Sequence, residues 1–588
     1  MRLLTALLIA LLASTSQAAP APLSTVSEAS GFTRTGRYEE VIALCEAFAL
    51  AYPQSVRCLD FGTTPQGRPM KALVASTRGV LTPEQARESG LPVVLIQGGI
   101  HAGEIDGKDA GFLALREVLE GKAAKGALDK LVWVFVPVFN VDGHERFGAW
   151  NRPNQRGPVE MGWRTTAQNY NLNRDYLKAD SAEMRAMLGL VQQWDPLAVV
   201  DLHVTNGAQF EHDVSIQVEP VHAGDADLRK VGRQWRDGVM ADLARQGSLP
   251  LPFYPSFVKY DDPSSGIEDG VAPPRFSTGY FWLRNRLGML VETHAWKSYP
   301  VRVRVTRNTI VSVLEHIADR GATWRETMLA ADARGSTARD ALAPLSYTAT
   351  PKVRMIDFRG YAYTRTPSDV SGALMTSYDE TKPQVWKMPV RDEVVPLLSV
   401  APPAAGYLVP AEHAGWVSSR LDVHGLAYRR IAAADDAAVE AFRAQKASPS
   451  AQSVEGHQTM TLAGAWAAER RDVPAGSLFV PIDQPRWRVV MALLEPEAPD
   501  SLAAWGDFNN AFERKEYMED YVAEQVARDM MAKDPALRAA FERKLAEEPE
   551  FAASPAARLA YFHERHASWD ERYNLYPVLR VAEAPGAD

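Results

Sequence analysis

The stretch GGIHAGEIDG, residues 98–107, sets His101 and Glu104 three positions apart, directly after the apolar run PVVLIQ. Three residues of separation bring two side chains to one face of a helical turn, so an imidazole and a carboxylate can converge. It is the only His-x-x-Glu among the twelve histidines. A second histidine, His203, closes the apolar run LAVVDLH, and Glu292 closes LGMLVE. Two imidazoles and one carboxylate make a catalytic zinc set that leaves a fourth position for water, whose pKa falls toward about 7 on the metal. A separate carboxylate must then accept a proton during attack, and Glu292 is the candidate. Taken singly, each piece has a plainer reading. His101–Glu104 is also an ordinary charged helix start, His203 a hydrogen-bonded core histidine and Glu292 an ion-pair partner. Their shared placement after apolar runs joins them into one site.

Such a site needs a frame that delivers strand ends to one place. LPVVLIQG and KLVWVFVPVF are continuous apolar runs, which predicts strands buried on both faces; PLAVVDLH and LGMLVETH read as two more strands. VRCLDFGTT and PMKALVAST add two strands earlier in the chain. Helices are expected over RYEEVIALCEAFALAY, with Thr35 as its cap, and over DGKDAGFLALREVLEG, SAEMRAMLGLVQQW and RVTRNTIVSVLEHIADR. Alternating buried strands and helices from about 32 to 335 predict an α/β domain with a mixed central sheet and helices on both faces. Open α/β sheets bind ligands beyond the carboxyl ends of their strands, where His101, Glu104, His203 and Glu292 all fall.

With these residues in place, the chain from about 32 to 325 resembles the zinc carboxypeptidases of the carboxypeptidase A type. GGIHAGE is similar to that family's first metal motif, and VPVFNVDGHE to its buried strand and following turn, with Val141 in place of a proline. GWRTTAQNYNLNRDY, DLH and LVETH resemble three further blocks in the same order. The resemblance implies one zinc per chain on His101, Glu104 and His203, with Glu292 as general base. It implies that Asn173 and Arg174 hold the substrate's C-terminal carboxylate and that Arg164 polarises the scissile carbonyl. A guanidinium suits both tasks, through paired charge-assisted hydrogen bonds and oxyanion stabilisation. Two departures stand out. Gly103 occupies a position where many members carry arginine, and no tyrosine falls at the usual distance upstream of Glu292. Arg275 and Tyr280, in GVAPPRFSTGYFW, are the candidates for substrate binding there; each also has a structural reading, as a loop cap and a sheet-packing ring.

The function expected from the resemblance is an exported carboxypeptidase acting on peptides with a free C-terminal carboxylate. The alternatives are an amidase on cell-wall peptides or acylated amino acids, and a non-catalytic peptide-binding relative. Formal net charge of −9 and a pI near 5.8 give no sign of nucleic-acid binding. MRLLTALLIALLASTSQAAP reads as a secretory signal peptide over residues 1–18, cleaved near Ala18, which places the mature chain in a secreted or periplasmic setting. Its apolar stretch is too short for the roughly 20 residues of a membrane span, and no other span is expected. The only cysteines, Cys45 and Cys58, fall in a helical and an extended run. In an oxidising compartment they predict a helix-to-strand disulfide worth about 3 kcal/mol; two buried thiols are the other reading. Residues 336–351, rich in Ala, Ser and Thr, read as a linker. Residues 352–498 carry strand-like runs and suggest a β-rich accessory region, and 499–588 turn helical.

Overall fold

The structure is a computed structural model that describes residues 23–335 and 342–586. The expected signal peptide and residues 336–341 lie outside the described residues. Nine strands precede residue 295: β1 (Val56–Thr63), β2 (Pro69–Ala75), β3 (Val93–Gly98), β4 (Val132–Val136), β5 (Ala198–Val204), β6 (Val214–Glu219), β7 (Pro250–Leu251), β8 (Ile267–Glu268) and β9 (Leu287–Thr293). All except β8 form one sheet in the order β1-β2-β4-β3-β5-β9-β6-β7. Its centre, β4-β3-β5-β9, is parallel, and β1-β2, β2-β4 and β9-β6 are antiparallel. Every residue of β3, β4, β5 and β9 is buried, as their largely apolar sequences suggest of strands covered on both faces.

The helices cover the sheet. Asp106–Leu119 and the 37-residue helix Tyr299–Gly335 pack together, and Ala182–Trp194 starts from Ser181, whose hydroxyl accepts from the Met184 amide. The first long helix is Tyr38–Ala51. Thr35 does not cap it: Arg37 stands at the N-cap, and the Thr35 hydroxyl instead donates to Asp109 Oδ2 at 2.7 Å. Cys45 and Cys58 are joined in a disulfide that ties this helix to β1.

The C-terminal half contributes β10 (Ala343–Ala349), β11 (Arg354–Pro367), β12 (Leu374–Arg391), β13 (Val394–Val400), β14 (Gly406–Val409), β15 (Arg429–Arg430), β16 (Ala434–Pro449), β17 (Met460–Val473), β18 (Leu478–Pro481) and β19 (Leu579–Val581). Three expectations change here. Much of the stretch read as a linker is β10, paired antiparallel with β13. The helical end of the chain returns as β19 into the six-stranded sheet β15-β18-β14-β19-β16-β17. WRVVMALL, inside the region expected to be β-rich, is the helix Trp487–Leu494. The halves are not separate modules. Strand β12 pairs in parallel with β8, and one apolar core runs from Leu95, Val134 and Leu188 to Tyr407, Val490 and Tyr576. The helices after residue 519 bury only a small cluster of their own around Phe541, Phe551 and Phe562.

Candidate metal centre and substrate pocket

The loop after β3 turns sharply at Gly99, whose φ of +62° favours glycine. The Glu104 amide then donates to the His101 carbonyl at 2.9 Å, so both side chains are set by a turn that ends before the helix at Asp106. His203 and Glu292 are register partners on the adjacent parallel strands β5 and β9. Behind them, Asp106 clamps the frame: its Oδ2 accepts from the Thr293 hydroxyl at 2.8 Å and from Arg302 Nε at 2.9 Å. That contact ties the helix following Glu104 to the strand carrying Glu292.

His101, Glu104 and His203 are buried, and one donor atom from each lies within 4.8 Å of the others. The two Nδ1 atoms each stand 3.0 Å from a different oxygen of Glu104. The outer nitrogens are occupied. Asn171 Oδ1 accepts from the Asn173 amide and sits 3.1 Å from His101 Nε2; an amide oxygen only accepts, so His101 carries its proton on Nε2. Asp201, two residues before His203 on the same face of β5, places Oδ2 2.8 Å from His203 Nε2, an ionic contact rather than a well-aimed hydrogen bond. Both Nδ1 lone pairs are thereby left to face inward, the usual arrangement of a metal-binding histidine with a carboxylate or carbonyl behind it. Two imidazole nitrogens and one carboxylate, convergent and dry, fit a zinc ion.

Burial opposes charge on every member, and the neighbours decide the outcome. It wins at His101, whose pKa falls to about 4. At His203 burial is outweighed by the Asp201 and Glu104 carboxylates, and the pKa rises. Burial of Glu104 is outweighed by the charge of Arg152 and by His101, which hold it well below the usual carboxylate range. At Glu292 the counter-charges, His203 and Arg152, are outweighed. Burial, together with the Glu104 and Asp201 carboxylates, pushes it up to about 8 against the pull of His203, and its Oε2 is buried without a hydrogen-bond partner.

These residues open on a cavity of about 300 Å³ that is also lined by Arg164, Asn173 and Arg174. The turn after β4 positions Arg164: Asn140 Oδ1 accepts from the Gly143 amide, and Asn140 Nδ2 donates to the Arg164 carbonyl. Arg164 Nη1 reaches to 3.6 Å from Glu104 Oε1 and is about a third exposed. Arg174 stacks over the Phe276 ring at 4.0 Å, and burial lowers its pKa to about 10, which leaves it cationic at neutral pH. Asn173 Oδ1 accepts from the Ser277 amide at 3.1 Å.

Arg275 and Tyr280 do not line this cavity. Tyr280 is fully buried and its hydroxyl donates to His424 Nδ1 at 2.8 Å, while His424 Nε2 donates to the Leu177 carbonyl. Its ring serves the contact between the two halves of the chain. Arg275 pairs with Asp500 at 2.6 Å. Three residues in or behind the pocket escape a reading of the sequence. Arg152 Nη2 lies 3.0 Å from Glu104 Oε1. A Cβ at Gly103 would come within 2.6 Å of the Arg152 side chain and 2.7 Å of the Gly162 carbonyl, so Gly103 has no room for a larger residue. Asp201 carries a detectable signal, since a carboxylate two positions from a strand histidine shares its face. Tyr254 lines the cavity from a loop without periodic pattern; burial, with Glu292 and Glu104 acting the same way, raises its phenol.

Residues 41–234, about a third of the chain, match the family model described as zinc carboxypeptidase. Carboxypeptidase B of Helicoverpa zea is 28% identical over 160 residues, 24% of this chain and 36% of that protein. The match therefore spans about a third of the length of that curated relative. Among solved structures, a metallo-carboxypeptidase from Burkholderia cenocepacia aligns at 17% identity with a TM-score of 0.34, covering 47% of this chain and 69% of its own. Carboxypeptidase A from Helicoverpa armigera aligns at 16% identity with a TM-score of 0.34, covering 49% and 73%. No helix among the described residues is long and apolar enough to cross a membrane.

Proposed function

We propose that this protein is an exported zinc-dependent carboxypeptidase that hydrolyses the C-terminal peptide bond of peptides. The observation that carries the reading is convergence: a His-Glu-His donor set, an unpaired buried carboxylate and an Asn–Arg pair share one cavity. His101, Glu104 and His203 would hold one zinc. When bound, zinc supplies Lewis acidity, which activates water and polarises a carbonyl at neutral pH. Arg174 and Asn173 take the terminal carboxylate, Arg174 through its guanidinium and Asn173 through the amide NH2 that its contact with Ser277 leaves free. Arg164 donates to the scissile carbonyl oxygen as negative charge develops there. Glu292 accepts the proton of the attacking water and returns it to the leaving amine; a raised pKa suits a group that must both take and give a proton. Export is supported by the leader-like N-terminus and by the Cys45–Cys58 bond, which belongs to an oxidising compartment.

The test compares N-blocked dipeptides with free and amidated C-termini, using purified mature protein with and without zinc. Zinc-dependent release of the C-terminal residue from the free acids only is the expected result. Cleavage of the amides at equal rates would point to an amidase, and binding without turnover to a silent relative.

A further inference from the structure

The carboxylate-binding end of the pocket depends on residues more than 200 positions downstream. Asn173 and Arg174 sit on a short turn whose side chains are both oriented by the segment Arg275–Ser277. Phe276 lies under the Arg174 guanidinium, the Ser277 amide holds Asn173 Oδ1, and the Arg275 carbonyl accepts from the Tyr176 amide at 3.3 Å. That segment ends on the first residue of a five-residue helix and belongs to no long strand or helix, so something else must fix it. Asp500 does so from the C-terminal half. Its Oδ2 accepts from the Arg275 amide at 2.8 Å and its Oδ1 from Arg275 Nη1 at 2.6 Å. The Asp500 side chain is fully buried, and the Arg275 guanidinium lies 5.5 Å from the Phe276 ring and 6.0 Å from the ring of Trp505. Trp505 in turn faces Lys178, just beyond the Asn173–Arg174 turn.

The pairing has a second consequence. An unpaired Arg275 would be a mobile cation beside Arg174 and would compete with it for any anion. Held by a buried carboxylate, Arg275 is spent, and of these two arginines only Arg174 presents its charge to the cavity.

We propose that Asp500 is a positioning residue for the substrate's terminal carboxylate: it locks Arg275–Ser277, and through Phe276 and Ser277 it sets the orientation of Arg174 and Asn173. This rests on the reading of Asn173–Arg174 as the carboxylate site. The C-terminal half then completes the substrate pocket although none of its residues lines it.

Binding measured without turnover tests this. The full chain carrying Glu292→Gln, loaded with zinc, is titrated calorimetrically with an N-benzoyl dipeptide as the free acid and as its C-terminal amide. Asp500→Ala should raise the Kd of the free acid about tenfold, roughly the loss of one charge-assisted hydrogen bond, and leave that of the amide unchanged. Asp500→Asn keeps an acceptor for the Arg275 amide and should give a smaller rise in the same direction, which covers the case in which Asp500→Ala does not fold. Arg174→Ala should raise the free-acid Kd by itself, and adding Asp500→Ala to it should cost less than Asp500→Ala costs alone, since the Arg174 contact is already lost and only the one to Asn173 remains. Equal weakening of acid and amide, additive effects of the two changes, or an unchanged Kd in Asp500→Asn and Asp500→Ala alike overturns the inference. An unchanged Kd in Arg174→Ala overturns the carboxylate-site reading itself, and this inference with it.

Discussion

His203 and Glu292 face each other across paired central strands, whereas Asn173 and Arg174 ride on a short turn braced by a loop that is braced in turn by Asp500. The proposed catalytic end of the pocket thus draws His203 and Glu292 from the stiffest part of the fold, in which each strand is fixed by neighbours on both sides. The anion-binding end is assembled from irregular segments held by side-chain contacts between distant parts of the chain. A strand end needs only its own sheet to place a side chain within hydrogen-bonding precision. A loop reaches the same precision only when buried, satisfied partners over-determine it. Damage to the C-terminal half should therefore reach substrate recognition before it reaches the metal site.

The largest separation of the two ends comes from Glu292→Gln. The exchange is nearly isosteric and removes only the ionisable carboxylate, so zinc content should stay at one per chain and kcat should fall by at least about 100-fold, the lower range for lost acid–base catalysis. Elemental analysis beside peptide kinetics checks both; zinc lost from the variant would make Glu292 a ligand.

Asp201→Asn probes the rigid end one step back from the ligands. With no carboxylate at 2.8 Å from His203 Nε2, zinc affinity should fall about 10- to 100-fold, as for other second-layer partners of metal histidines. A competition titration with a chelator measures it, and an affinity equal to wild type would deny Asp201 an orienting role.

The metal-free protein offers a smaller effect that belongs to the catalytic end alone. Glu292 is pushed up to about 8, above its unfolded value near 4.3. A group so raised contributes stability that is complete below the unfolded pKa and is lost as pH rises through the folded one. Metal-free wild type should lose ground to Glu292→Gln between about pH 6 and pH 9, in denaturant titrations run at both. Parallel stability curves for the two proteins would show that the carboxylate is not held in a low-dielectric site.

The smallest effect lies at the junction of the halves. His457, on the turn between β16 and β17, meets Asp180 at 2.7 Å, and that hydrogen bond raises its pKa. The pair is partly exposed, so His457→Gln should cost under about 1 kcal/mol. The cost should be present below about pH 6.5 and vanish as pH rises through the raised folded pKa. Thermal melts at two pH values suffice. A cost that persists undiminished at high pH would mean that packing, not charge, joins the halves at this point.

Much of the central sheet and its helices could be read directly from residue patterns. Largely apolar runs mark β3, β4, β5 and β9 because a strand covered on both faces has no polar side, and those of β5 and β9 lead to His203 and Glu292, which line the pocket. Strand β6 and the helix Ala226–Arg245 went unread, although Asp225 caps that helix through its own carboxylate. Arg275 and Tyr280 show how position along the chain misleads. Both sit in the expected segment, yet their partners are Asp500 and His424, which lie in a half of the molecule where no motif points to the site.

The order and kinds of the donor residues, the strands that end on them and the disulfide pair were set locally, by alternation, apolar runs and spacings of a few residues, and so were visible in the sequence. The role of Arg152 beside Glu104, the lack of room at Gly103 and the clamp from Asp500 to Arg174 were settled only by the tertiary structure. Each depends on atoms far apart in sequence being brought within about 3 Å, and the forces that do so, burial of one shared core and pairing of charges in a dry interior, leave no periodic trace in the chain.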